Sequence, residues 1–460
     1  MSAVSLFRLP PLTGVALACA LTLGAVPFAH AENLQEVYDI ARGYDATYLA
    51  ARAAVDSVQY RAAQAHALRR PNVSATVGAS QTTNETTVEG TTTSDLKTNG
   101  ASGNILATQS LFNRANDATI SQADLSLEIA KADLQTADQE LIVRVATIYF
   151  DVLAAQDALT TAQVSKKAIA EQLAAAKRNF EVGTATITDT REAEARYDLS
   201  RAVEIGAEND LLTKRIALDR LIGRENVTPK PLAVPVVLPP ASPNNVEEWV
   251  AGTDNTPIVR RAQIGYDIAQ LETTKARAGH LPTAGLAASY GVGRSNPVGS
   301  QISGISPLPQ NVDYWGNNKQ SSIGVQVNIP LFAGFAVQNR VKETLSLEDQ
   351  ARNSLESSRR LVAQVTRQAF FLVQSQEAQV KALEAAEASS KVALESTQLG
   401  YKVGVRVNID VLNAQTQLYA TQRDLAKQRY DVLVNGLKLR QVAGILVPED
   451  VSKVNALLER

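Results

Sequence analysis

The chain has 460 residues, of which 45 are Lys or Arg and 47 are Asp or Glu, and apolar side chains make up 45% of it. This composition excludes a disordered or collagen-like chain. The formal net charge is -2 and no block of basic residues occurs, which argues against nucleic acid as a partner. With three His residues and one Cys in the whole chain, there is little material for His-based or thiol-based catalysis.

The first 31 residues have the features of an export signal. Arg8 is their single charged residue, an apolar run from Leu9 to Phe28 follows, and small residues precede Glu32. This order predicts a cleaved signal peptide at residues 1–31. A membrane-spanning helix is one alternative, although the prolines that bracket the run favour a signal over a span of about 20 residues. Lipid attachment at Cys19 is another.

The sequence after residue 31 is an internal repeat with an offset of about 220 residues. At a constant offset of 221, eight residues of the first half recur in the second: Val182, Gly183, Asp189, Ala193, Asp210, Leu212, Leu218 and Gly223. Such self-similarity predicts two equivalent structural units. We assign residues 32–228 to the first unit and 246–446 to the second, with a Pro-rich linker at 229–245 and a tail at 447–460.

Each unit is predicted to contain a very long helix. Between Asn116 and Phe180 there is neither Pro nor Gly, and apolar residues recur at every seventh position: Ile120, Leu127, Leu134, Leu141, Ile148, Ala155, Ala162 and Ile169. This heptad pattern is typical of coiled coils. Such a helix would be on the order of 100 Å long, so we expect it to pack along its length. The stretch from Arg359 to Leu399 is likewise free of Pro and Gly.

Segments of alternating apolar and polar residues separate the helices. Apolar side chains occupy every second position from Val73 to Ala79 and from Ile323 to Ile329. Period two predicts strands with one apolar face. Partner strands are expected around Asn104–Leu111 and Leu286–Val292. Strands of about ten residues suit a tilted crossing of a bilayer.

These segments predict two hairpins, at about 72–112 and at about 283–332, with long polar loops at 81–100 and 295–319. Four strands cannot close a barrel, and an open sheet in lipid would leave edge groups unpaired at a cost of several kcal/mol each. Three chains would supply twelve strands, which is within the range of outer-membrane barrels. The sequence therefore predicts an obligate homo-oligomer, with a trimer favoured. A soluble sandwich that caps a helical stalk is the alternative.

Four aromatic residues lie near the ends of the predicted strands: Phe112, Tyr314, Trp315 and Phe332. Aromatic side chains are enriched where a membrane meets water, so these residues are candidates for anchors at that interface. A plain packing role at the junction with the helices is an equal alternative.

Three stretches of the sequence resemble the TolC family of outer-membrane channel-tunnel proteins: Ala31–Leu34, Phe180–Asp189 and Gly400–Leu412. The similarity extends through most of the mature chain. The resemblance implies an α+β membrane protein in which each chain gives four β-strands to a trimeric 12-stranded outer-membrane barrel. It also implies that long coiled-coil helices form an α-barrel across the periplasm, closed at its far end by inward-bending coils.

The resemblance assigns a role to the turns at residues 182–188 and 403–409. In the family these turns lie at the periplasmic tip, where adaptor proteins of an inner-membrane pump dock, and the matching residues are Val182, Gly183, Val403 and Gly404. Ordinary capping is the alternative, because Gly often ends a helix and Thr or Asp often begins the next. Asp189 and Glu192 have the spacing of a capping box.

A pore constriction is also implied by the resemblance. Asp410 matches a carboxylate that forms a ring about the threefold axis at the closed end of the tunnel. Three such carboxylates would attract cations. One turn later, this sequence has Asn413 where the best-known members have a second Asp, and this difference weakens the expected cation selectivity.

The same comparison implies a gate latch. Tyr401 and Arg406 match latch residues whose partners, by resemblance, are Thr188 and Asp189 on neighbouring coils. An exposed pair of Arg with a carboxylate contributes about 0–1 kcal/mol. Such a bond can still hold neighbouring coils shut.

The predicted function is that of a passive exit duct in the outer membrane, extending into the periplasm, for a tripartite efflux pump or a type I secretion system. The expected partners are two further copies of the chain, a periplasmic adaptor, an inner-membrane pump of RND or ABC type, and outer-membrane lipid. A trimeric coiled-coil stalk or adhesin without a through-pore is the alternative. The sequence contains no P-loop, HExxH, CxxC or GxSxG pattern, so we expect neither enzymatic activity nor a cofactor or metal.

Overall fold

The computed structural model describes residues 32–88, 91–225, 227–240, 242–303 and 306–459. The predicted signal peptide and Cys19 lie outside the described residues. Within the described part, no helix combines the length and the apolar character needed to cross a membrane.

Helices make up most of the described chain. They are α1 (Leu34–Tyr44), α2 (Ala46–His66), α3 (Arg114–Glu181), α4 (Ile187–Ile222), α5 (Val246–Ala251), α6 (Pro257–Arg277), α7 (Ala336–Lys402), α8 (Asn408–Val442) and α9 (Pro448–Asn455). The strands are β1 (Asn72–Val88), β2 (Thr91–Phe112), β3 (Thr283–Ser303), β4 (Ser306–Asp313) and β5 (Gly316–Asn328). Each half thus contains a short helix pair, antiparallel strands and two long helices.

The 68-residue helix α3 organises the helical part. It begins after Asn113, whose side-chain oxygen accepts the N–H groups of Ala115 and Asn116 at 3.0 and 3.2 Å. Its partners change along its length. Gln122 donates to Glu272 of α6 at 3.0 Å, whereas Lys166 pairs with Glu204 of α4 further along.

The heptad seam of α3 is buried at five of its eight positions: Ile120, Leu141, Ala155, Ala162 and Ile169. The other three, Leu127, Leu134 and Ile148, are half-buried. An α-helix drifts relative to a strict seven-residue repeat. The helices that pack against α3 also differ along its length. A single heptad seam therefore cannot face a neighbouring helix at every position.

The main hydrophobic core lies where α1, α9 and the linker pack against the middle of α3. The fully buried Tyr149 of α3 accepts the Lys230 N–H of the linker at 2.8 Å. Phe150 stacks on Tyr430 of α8 with ring centroids 5.6 Å apart, and the Tyr430 hydroxyl donates to Asp157 at 2.7 Å. Burial raises the pKa of Asp157, and this bond partly opposes the shift. The core joins both repeats and the linker into one body.

The strands form one antiparallel sheet in which β2 lies between β1 and β3, and β3 pairs in turn with β5. The short β4 pairs with the far end of β3. The strands are longer than predicted, with 17, 22 and 21 residues in β1, β2 and β3. The predicted polar loops at 81–100 and 295–319 are wrong, because most of these residues are strand. Thr-rich segments favour strands. Because both faces of these strand ends are polar, their sequence lacks the alternation of apolar and polar residues by which strands are predicted.

The two faces of the sheet differ in polarity, as the strand register shows. One face is mainly apolar and presents the rows Val73, Ala107, Ala288 and Ile323, then Ala75, Ile105, Tyr290 and Ser321. The opposite face is mainly polar and presents Ser74, Leu106, Ser289 and Ser322, then Thr76, Asn104, Gly291 and Gln320. An apolar outer face and a polar inner face are typical of a barrel in lipid with a hydrated interior.

Candidate functional site

Two turns with the same backbone geometry connect the long helices. In the first, the Gly183 N–H donates to Phe180 O at 3.0 Å and the Thr184 N–H donates to Asn179 O at 2.8 Å. In the second, the corresponding bonds run from Gly404 to Tyr401 O at 3.1 Å and from Val405 to Gly400 O at 2.8 Å. Both patterns are Schellman motifs. The two glycines adopt φ of 78° and 79°, a left-handed conformation that disfavours other residues.

The surfaces of both turns are apolar and open. Val182, Val403 and Val405 are 72%, 65% and 78% exposed. A Cβ atom added to either turn glycine would meet no other atom within 4 Å. The glycines are therefore required by the backbone conformation, and the valines are free to contact another molecule.

Helix α4 begins with a capping box, but with residues other than those predicted. The Thr186 hydroxyl accepts the Asp189 N–H at 3.2 Å, and the Asp189 carboxylate accepts the Thr186 N–H at 3.0 Å. The expected box of Asp189 with Glu192 is wrong, because the helix starts at Ile187 and places Asp189 at the third helical position. The start of α4 is therefore capped, and Asp189 is one of the two residues of the capping box.

The four residues of the implied latch lie at the same end of the molecule. Tyr401 accepts a hydrogen bond from Asn179 at 3.2 Å, which links the ends of α7 and α3. Arg406, in the turn before α8, lies 3.5 Å from Asp410 of α8, and Thr188 is exposed. Within one chain Arg406 therefore contacts Asp410, and its contact with Asp189 of a neighbouring coil stays a prediction.

The predicted constriction residues Asp410 and Asn413 lie one turn apart on α8. Asp410 is about one third exposed and faces Arg406. Asn413 accepts a hydrogen bond from Arg196 of α4 at 2.9 Å. The structure thus adds a guanidinium beside the position where this chain has Asn, a contact that the sequence did not reveal.

Asn408 is a further residue that the sequence analysis missed. It is the first residue of α8 and is 1% exposed. Its side chain accepts a bond from Gln172 of α3 and donates to Asp189 O of α4 at 3.3 Å. Buried amides that are fully hydrogen-bonded fix the position of an element. The signal that could have found it is a polar residue between Val407 and Ile409.

Beneath these polar contacts, a small apolar cluster joins α3, α4 and α8. Ile169 and Ala176 of α3 pack with Ala193 of α4 and Leu412 of α8, all of them buried. The cluster and Asn408 tie the two helical pairs of one chain together close to the turns. No group of His, Cys, Asp and Glu side chains that could hold a metal ion occurs among the residues described.

Comparison with known proteins places this geometry in a family. The family model "Outer membrane efflux protein" matches residues 37–224 and 253–445. The outer membrane protein TolC of Vibrio cholerae is 31% identical over 93% of this chain and 94% of its own length. The alkaline protease secretion protein AprF of Pseudomonas aeruginosa is 32% identical over 70% of this chain and 65% of its own length.

A solved structure is similar as well. The outer membrane protein VceC of Vibrio cholerae superimposes with a TM-score of 0.74 over 89% of this chain and 96% of its own, at 17% identity. The predicted fold class is confirmed: an α+β membrane protein in which each chain has four long strands and long coiled-coil helices. The predicted outer-membrane location with a periplasmic extension is confirmed too. The chain therefore belongs to the outer membrane efflux protein family, and it is an outer-membrane exit duct for efflux and secretion.

Proposed function

We propose that this duct works as a homotrimer, closed at its periplasmic end by the two turns and opened when a periplasmic adaptor docks on them. The adaptor would connect the duct to an inner-membrane pump of RND or ABC type. The observation that supports this most directly is the pair of exposed apolar turns at the free ends of two long helical pairs. Transport through the duct is passive, and the pump supplies the energy.

Trimer formation follows from the edges of the sheet. In one chain β1 and β5 each pair with one strand, so each has one edge without a partner among the described residues. Unpaired backbone groups in lipid cost several kcal/mol each. Pairing β5 of one copy with β1 of the next removes all such edges when three copies close a barrel. The polar face then lines the interior, which distinguishes a duct from a solid stalk.

Docking at the turns rests on their exposed valines. Val182 and Val403 occupy equivalent positions in the two repeats, next to the turn glycines. A trimer therefore presents six similar apolar contacts in a ring. Small apolar groups that are spaced regularly suit the end of a helical hairpin in an adaptor, because both surfaces then bury apolar area.

Closure at the turns combines neutral and charged contacts. The buried Asn408 holds α8 against α3 and α4 within each chain. Arg406 and Asp410 are more exposed and are 3.5 Å apart, so their contact is weak and can be exchanged for contacts between copies. We propose that Arg406 and Tyr401 contact Asp189 and Thr188 of the neighbouring coils in the closed trimer, as the family resemblance implies.

The ring of Asp410 side chains at the constriction gives the closed duct a preference for cations. Asn413 adds no charge, and Arg196 beside it adds a positive one. We therefore expect moderate cation selectivity and weak block by multivalent cations. In Asn413→Asp, the new carboxylate would pair with Arg196. A trimer would gain three carboxylates at the constriction.

Single-channel conductance of the purified trimer in a planar bilayer tests these assignments. We expect small, cation-selective openings for the wild type, reduced selectivity for Asp410→Ala, and stronger block by multivalent cations for Asn413→Asp. The matched control is Asp424→Ala, which removes a carboxylate from the same helix more than three turns from Asp410. The absence of openings in every variant would contradict the assignment as a duct. Large openings that are unchanged by these substitutions would contradict only the assignment of Asp410 and Asn413 to the constriction.

A further inference from the structure

Two cations lie on the apolar outer face of the sheet. The register places Arg294 of β3 opposite Ala101 and Asn317, and Lys319 of β5 opposite Val292. Both positions belong to the face that carries the apolar rows. Both side chains line one shallow cleft, together with Val77, Ala101, Gly103, Val292 and Asn317. Ala101 and Gly103 are small, so the β2 side of the cleft beside Arg294 is open.

Measured along the strands from the helical end of the sheet, the cleft lies where the opposite boundary of a bilayer is expected. Val327 lies at the helical end of the apolar face, and Asn317, opposite Arg294, lies ten residues further along β5. Ten residues span about 34 Å along a strand, or about 25 Å across the membrane at the usual tilt, which is the height of the apolar band of a barrel. Because the helices are periplasmic, the cleft lies at the outer surface.

Both boundaries of this band carry aromatic residues. At the helical end, Phe332 and Phe335 are exposed and contact each other edge to face at 5.5 Å. At the other end, the Arg294 guanidinium lies 4.5 Å from the centre of the exposed Trp315 ring. Aromatic residues mark the two interfaces of a membrane protein. The ring also fixes the guanidinium beside the cleft.

Neither cation has a carboxylate partner within 4 Å among the described residues. Asp313, a carboxylate near this end of the sheet, lies opposite Val298, four residues beyond Arg294 along β3. A cation on a lipid-facing surface is costly when it is unpaired, and the cost falls toward the interface. Two cations flanking an open cleft at this depth are therefore suited to an anion from the membrane itself.

We propose that Arg294 and Lys319 bind the phosphate group of a lipid in the outer leaflet of the outer membrane. Arg binds a phosphate with two parallel hydrogen bonds, and Lys adds a point charge on the other side. The apolar rows below the cleft would contact the acyl chains of the same lipid. The site recurs on each copy, so a trimer would hold three such lipids around the barrel.

Binding of lipid A to the detergent-solubilised trimer tests the proposal, with diphosphorylated lipid A, the same lipid without phosphates, and inorganic phosphate as probes. We expect the diphosphorylated lipid to bind most tightly to the wild type. The double variant Arg294→Gln, Lys319→Gln should weaken that binding at least about tenfold, since two charge-assisted contacts are lost. Native mass spectrometry of the trimer would report lipids bound per trimer.

Lys97→Gln is the matched control, because Lys97 is exposed on the same face but lies opposite Val298, beyond the bilayer height. It should bind lipid as the wild type does. Equal binding by the double variant and the wild type, or equal binding of the phosphate-free lipid, would overturn the proposal. Binding of inorganic phosphate as tightly as the lipid would replace it with a site for free anions. Unchanged single-channel conductance of the double variant would show that its barrel has assembled, independently of lipid binding.

Discussion

The turns of the two repeats end the preceding helix in the same way but begin the following helix differently. Both close the preceding helix with a Val, a left-handed Gly and the same pair of hydrogen bonds. The following helices differ in their first residues. In α4 the cap residue is Thr186, which forms a capping box with Asp189. In α8 the equivalent cap residue is Val407, whose side chain makes no capping bond.

This difference changes what the equivalent carboxylates can do. Asp189 and Asp410 occupy the same position in the two repeats, 221 residues apart. Asp189 is held by the N–H and hydroxyl groups of Thr186. Asp410 has no such partner at its cap and faces Arg406 instead. The difference at the cap therefore leaves the Asp410 carboxylate without the two hydrogen bonds that hold Asp189.

The largest expected effect comes from Asn408→Ile, which gives the second repeat the residue of the first, Ile187. The substitution removes the two side-chain hydrogen bonds of Asn408, to Gln172 of α3 and to Asp189 O of α4, and leaves Gln172 without this acceptor. We expect a local loss of about 1–3 kcal/mol. Hydrogen exchange of residues 408–416 should accelerate roughly five- to 150-fold.

The reciprocal variant Ile187→Asn is the control, because Ile187 is exposed and contributes little to packing. Its effect should stay within about 0.5 kcal/mol, as for most surface substitutions. Equal effects of the two variants would mean that Asn408 does not hold the turn.

The next effect is expected from Ala at the turn glycines. Gly404→Ala should cost about 1–2 kcal/mol, because the left-handed conformation strains a residue with a Cβ atom and no neighbour offsets the strain. Gly183→Ala should cost the same, since the two turns share φ within one degree. Hydrogen exchange at the ends of α3 and α7 would measure both. A difference above about 1 kcal/mol would show that the turns are not equivalent.

A smaller effect is expected from Val407→Thr, which introduces the cap of the first repeat into the second. The new hydroxyl would accept the Asp410 N–H, and the Asp410 carboxylate would accept the backbone N–H of the substituted cap residue, at a gain of about 0.5–2 kcal/mol. Because Asp410 is then drawn to the cap, cation selectivity in a planar bilayer should fall. Val407→Ala is the control, as it shortens the side chain without adding a hydroxyl.

The sequence predicted the parts of this molecule that local patterns encode. The offset of 221 identified the repeat, the heptads identified α3, and period two identified the membrane-crossing parts of the strands. The polar ends of the strands were missed because two hydrated faces show no alternation. The capping box was misplaced by three residues, since Thr186 and Asp189 both have cap-forming side chains. Contacts between distant elements, such as Arg196 with Asn413, have no local signal at all.

The smallest structural effect, and the most direct test of the latch, is expected from Arg406→Ser. Arg406 is 61% exposed and 3.5 Å from Asp410, so its loss should cost about 0–1 kcal/mol of stability. It should nevertheless raise single-channel conductance, because a latch between coils is removed while the chain stays folded. Arg191→Ser is the matched control, since Arg191 is an exposed Arg at the same end of the molecule and pairs with Glu194 of its own helix. If both variants conduct like the wild type, Arg406 is not part of the latch. If both raise the conductance equally, surface charge near the turns controls the opening and the specific contact of Arg406 does not.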